Sequence, residues 1–63
     1  MISLRHTPTL FNPDNAVKTA RTLTEESEIL KDGWTYSAKH DPKGTGDSLI
    51  EVHDEAHEFV GYL

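Results

Sequence analysis

Between Asn12 and Gly33 the apolar positions fall three and four residues apart, and from Trp34 onward they fall two apart. The first spacing marks one face of a helix and the second one face of a strand. Asn12-Pro13-Asp14 opens the helical stretch. An asparagine at the N-cap accepts a bond from a free amide, proline suits the first helical position, and aspartate complements the positive helix end. Ala16, Ala20, Leu23 and Leu30, with Ser27 in the gap, form a thin apolar stripe, while Lys18, Arg21, Glu25 and Glu28 fall elsewhere on the wheel. Lys31-Asp32-Gly33 supplies a cation for the last turn and a glycine able to take the left-handed conformation beyond it. Thr22 and Glu25 have capping-box spacing, so a break near 22–24 is an alternative to one continuous helix.

Trp34, Tyr36 and Ala38 alternate with Thr35, Ser37 and Lys39, the pattern of a strand with one buried face, and Trp34 and Tyr36 are its expected core anchors. Asp41-Pro42-Lys43-Gly44-Thr45-Gly46 is dense in turn formers and connects this strand to the next. Residues 48–63 admit two readings. In the first, 49–53 and 58–62 are strands about a turn at 54–57, because β-branched and aromatic residues flank the polar cluster. In the second, Leu49, Val52, Ala56, Phe59, Val60 and Leu63 form a helical stripe, with Ser48 and Glu51 as a capping box, giving a mostly α chain with a C-terminal helix over 48–60. The hairpin is preferred. It yields one α+β domain over 1–63: an N-terminal arm at 1–10, where Pro8 disfavours a central strand, one helix, and a three-stranded antiparallel β-meander with the helix on one sheet face.

Composition narrows the function. A chain of 63 residues has room for a single core, and the absence of cysteine removes disulfides and thiolate metal sites as supports. Self-association or a bound partner is left, and pairing two copies through the last strand as a homodimer would cover an exposed edge. The net charge is -5. Through Lys31 acids and bases balance, so the whole excess comes from Asp32, Asp41, Asp47, Glu51, Asp54, Glu55 and Glu58 against Lys39 and Lys43. This charge argues against direct nucleic-acid binding, which needs clustered Lys and Arg. It suits a basic patch on another protein, or in principle a mimic of a phosphate backbone. With no apolar run of the roughly 20 residues that span a bilayer and no signal-peptide pattern, the expected location is cytoplasmic, away from membranes.

His53-Asp54-Glu55-Ala56-His57 is the candidate metal site: two histidines four apart on a helix share a face and can reach one ion. The zinc-protease motif needs Glu directly after the first His, where Asp54 stands, and in a hairpin the imidazoles flank a turn instead. His40-Asp41 has the residue types of an oriented base, but strand neighbours point to opposite faces. Lys43-Gly44-Thr45-Gly46 lacks Walker spacing, and Lys18 with Arg21 makes too weak a phosphate surface. No convergent catalytic constellation is visible, so the expectation is a non-enzymatic chain without a cofactor. Of Trp34, Tyr36, Phe59 and Tyr62, most are needed for the core. Tyr62 is the expected exception, since Phe59 and Val60 cannot both face one side of a regular strand.

Asp32-Gly33-Trp34-Thr35-Tyr36, Asp41-Pro42-Lys43-Gly44-Thr45-Gly46, Ile50-Glu51-Val52-His53-Asp54-Glu55 and Glu58-Phe59-Val60-Gly61-Tyr62-Leu63 together resemble small uncharacterised proteins of bacteriophage and bacterial genomes. Such proteins carry Asp-Glu-Asp-Gly after the second strand, whereas Ala56 and His57 fill the last two of those positions here. The resemblance implies a hairpin and an origin in phage or mobile elements. It implies no activity, but tilts the reading toward a modulator or inhibitor of a host protein. The expectation is a small acidic protein-binding module in which Asp54, Glu55 and Glu58 steer toward a basic surface and Tyr62 offers apolar contact. A metal-dependent regulator using His53 and His57 is the alternative.

Overall fold

A computed structural model of the chain describes residue 4 and residues 6–63, ordered as α1 (Pro13–Leu30), β1 (Thr35–His40), β2 (Ser48–His53) and β3 (Phe59–Tyr62). The strands form an antiparallel sheet in the order β1-β2-β3, which is the α+β meander. The helical alternative for 48–60 does not occur. Two strands and a turn occupy that stretch, since β-branched Ile50 and Val52 bury one side of an extended chain. Of the arm expected over 1–10, residues 1–3 and 5 lie outside the described residues. Residues 6–10 take no regular structure, and Phe11 then exchanges two backbone bonds with Ser48, at 2.7 and 2.8 Å.

The helix starts as its sequence directs. The Asn12 side chain accepts the Asp14 amide at 3.0 Å and Pro13 occupies the first turn. It runs unbroken through 22–24, and the Thr24 hydroxyl is used across the fold instead of for capping. That hydroxyl accepts the Tyr36 amide at 3.0 Å and donates to the Tyr36 carbonyl at 3.2 Å, fastening α1 to the outer edge of β1. At its other end the helix departs from expectation. Lys31, with φ 59°, takes the left-handed cap and its amide bonds to the Ser27 carbonyl. Gly33 also has positive φ, but its role is closeness: a Cβ there would lie 2.9 Å from the Glu55 Cβ. The glycine is reserved for the approach of the hairpin turn, which leaves Lys31 to close the helix.

The core consists of Ala16, Ala20, Tyr36, Ile50 and Val52. The two alanines let α1 sit close over β1 and β2, and Ile50 and Val52 are wholly buried beneath it. Burial of each is worth about 1.5–3 kcal/mol. Trp34, Leu23, Phe11 and Leu63 pack around this centre while half-buried, so Trp34 is an edge of the core rather than its middle. Leu30, expected in the stripe, is 74% exposed. The chain leaves the helix directly after it, and the groove it borders is unfilled among the described residues. At the loop end of β2, Ser48, Leu49 and Ile50 are all buried, on both sides of the sheet. Toward the hairpin turn the side away from the helix opens. No helix among the described residues is long and apolar enough to cross a membrane.

Candidate functional site

The open side is built by the β2–β3 hairpin. The Asp54 carbonyl accepts the His57 amide at 2.9 Å, and the Asp54 amide donates to the Glu58 carbonyl at 3.0 Å, which closes a three-residue loop. Its last position is left-handed, and His57 occupies it with φ 64°. Such a loop favours glycine there. His57 therefore places a side chain where none is preferred. The Asp54 carboxylate accepts the amides of Ala56 and Glu58, at 2.9 and 3.0 Å, so this acid organises the turn.

Past the turn, the pairing of β2 with β3 shifts register between Val52 and His53: Val52 faces Gly61 while His53 faces Phe59. The strand partner therefore carries one extra residue, Val60, and strict alternation is broken. As a result Phe59 and Val60 are both exposed, at 51% and 36%, which corrects the expectation that Phe59 belongs to the core. Its ring lies edge-on to His53, with centroids 5.9 Å apart, and edge-on to Tyr62 at 5.1 Å. His53, Phe59 and Tyr62 form a continuous aromatic row, with Tyr62 half-buried. Glu51, the partner of Tyr62 in register, stands beside it.

The other predicted acids have different surroundings. Glu55 accepts the Trp34 indole N–H at 3.1 Å through Oε2, tying the turn to the helix–strand corner. That corner is itself held by the Asp32 carboxylate, which accepts the Trp34 amide at 3.0 Å. Glu58 is exposed at the start of the aromatic row. Thus Tyr62 lies in the aromatic row beside Glu51, whereas Glu58 closes the turn opposite Asp54, one residue before Phe59, and Asp54 and Glu55 already hold local bonds.

His53 ends β2 and His57 sits in the turn, so the helical spacing that would aim both at one ion is absent. No group of three or more potential metal ligands comes together among the described residues. Asp41 serves its own loop rather than His40: it accepts the Thr45 hydroxyl at 2.7 Å and the Lys43 amide at 3.1 Å. These bonds, Thr45 foremost, hold its carboxyl below the usual aspartate range. The Gly44 amide donates to the Asp41 carbonyl at 3.0 Å, so this loop turns amides inward that a phosphate site would need free.

A concavity of about 470 Å³ lies between the end of α1 and the start of β1. Leu23, Leu30, Trp34 and Tyr36 make its apolar surface, and Glu26 and Asp32 its acidic one. Burial, above all, raises the Tyr36 phenol above its usual pKa; the adjoining Ser27 hydroxyl lowers it, and the charges of Asp32 and Glu26 raise it further. Sequence periodicity assigned Leu23 and Leu30 to the core and missed this groove. The available signal was the pair Ile29-Leu30, which one narrow stripe cannot bury together. Comparison with family models, with curated proteins and with solved structures finds no match to this chain.

Proposed function

We propose that this chain is a non-enzymatic protein-binding module whose open sheet face meets a basic surface on another protein. The supporting observation is the row of exposed Phe59 with half-buried Tyr62 and His53, with exposed Val60 next in the chain, Glu51 beside Tyr62, and Asp54, Glu55 and Glu58 at the adjoining turn. Apolar groups gathered on the surface of a small domain favour association, and acids around them favour encounter with cations. Lys39, whose parity places it on the same sheet face, stands at the far end opposite Leu49. The resemblance to bacteriophage and bacterial proteins extends the proposal: the partner is a host protein, and occupation of its surface modulates it.

The test is affinity capture from a bacterial host extract, with mass spectrometry comparing the native chain against Phe59→Ser and Glu58→Lys. Support is a protein retained by the native chain, released by salt and lost from both variants. Retention that neither change reduces would count against the proposal. Because Phe59 and Glu58 are exposed, neither change disturbs the core.

A further inference from the structure

We infer that the groove between α1 and β1 is a second binding site, which seats a lysine or arginine side chain presented next to an apolar one by a protein partner. The inference rests on the reading of the chain as a binder of basic protein surfaces, but it uses different residues and can fail separately.

Three features of the groove converge on this ligand. Its apolar surface combines Leu23 and Leu30 with the aromatic groups of Trp34 and Tyr36, and aromatic faces attract alkylammonium and guanidinium groups. Its charged lining consists of Glu26 and Asp32, with no basic side chain among the described residues that line it. The groove also opens at the C-terminal end of α1, where the helix dipole is negative and the last turn carries no cation; Lys31 stands just beyond, at the cap. The Tyr36 phenol registers the two carboxylates, since both hold it toward its neutral form. A cation entering there gains from each of these.

Size and accessibility agree. About 470 Å³ falls inside the ~300–1,000 Å³ span of clefts that hold ligands. Leu30 is 74% exposed, giving an apolar lip against which a neighbouring aliphatic side chain of the partner can pack. The Trp34–Glu55 bond joins this groove to the hairpin turn, so one partner surface that wraps the corner can engage both sites.

The experiment is titration of the isotopically labelled full chain with a short capped peptide of leucines flanked by arginines, followed by amide and indole NMR. Fluorescence of Trp34, the single tryptophan, is read in parallel, with tryptophan-free peptides. The acidic counterpart, with glutamate in place of arginine, is the control. Saturable shifts are expected at Trp34, Ser27 and Leu30 with the basic peptide and none with the acidic one. Leu30→Ser and Glu26→Lys, both at exposed positions, are expected to weaken binding by about fivefold or more while leaving amide dispersion elsewhere intact. Shifts confined to His53, Phe59 and Tyr62 would overturn the groove site and leave the sheet-face proposal standing. Equal response to the acidic peptide, or no response at Trp34, overturns it as well. Loss of a captured host partner with Phe59→Ser, at unchanged groove binding of the peptide, would instead separate the two sites.

Discussion

On the helix side of the sheet, Tyr36, Ile50 and Val52 pack against Ala16 and Ala20. On the other side, toward the hairpin turn, β2 and β3 show Glu51, His53, Phe59 and Tyr62 to solvent in part or in large measure. The difference is produced by alternation along β2, and it is sharpest between adjacent residues: Val52 is fully buried while His53 is not. In so short a chain one covered face carries the stability. The uncovered one is free to hold aromatic groups that folding does not require.

This division predicts a graded response to substitution. The largest effect is expected from Ile50→Ala, which deletes wholly buried atoms and costs about 2–5 kcal/mol, read as the shift in urea midpoint. Next is Thr24→Val. It leaves the amide and carbonyl of Tyr36 without their hydroxyl partner and costs about 1–3 kcal/mol in the same measurement. A neutral outcome would show that α1 is held over β1 by packing alone. On the uncovered side, His57→Gly relieves a left-handed histidine and is expected to stabilise by about 1 kcal/mol, raising the thermal midpoint. Phe59→Ser should change stability by less than about 0.5 kcal/mol. A loss as large as that of Ile50→Ala would abolish the distinction between the faces.

The last prediction shows only in alkali. The folded pKa of Tyr36 is raised, so its contribution is fully present below the unfolded value near 10 and is lost as pH climbs through the folded one. The native chain should therefore lose more thermal stability between pH 9 and about 11 than Tyr36→Phe does. Equal losses would show that the phenol is not confined under the helix.

Local chemistry made much of this fold readable. Asn12-Pro13-Asp14 marks the helix start because its signals act within one turn, and the change of period at Trp34 marks β1 because alternation is intrinsic to a strand. What escaped depends on neighbours distant in sequence. Lys31 closes the helix because Gly33 is needed where Glu55 approaches, a contact between loops. Thr24 reads as a weak helix former and a candidate break, yet its hydroxyl has Tyr36 as partner, twelve residues on. The exposure of Phe59 follows from one extra residue in pairing, which the run Glu58-Phe59-Val60-Gly61 does not announce. Of the four acidic and aromatic residues picked for binding, Asp54 and Glu55 are acids by type, but one carboxylate oxygen of each already serves the fold.

The Thr24 clasp has a consequence for coexistence with other chains. Strands on the border of a sheet invite fibril-like growth wherever their peptide groups are vacant. At Tyr36 those groups are occupied from within the molecule, so a foreign segment arriving alongside β1 meets a spent donor and acceptor with a helix above them. No such guard stands at β3 among the described residues, which leaves that margin the more open to sheet extension.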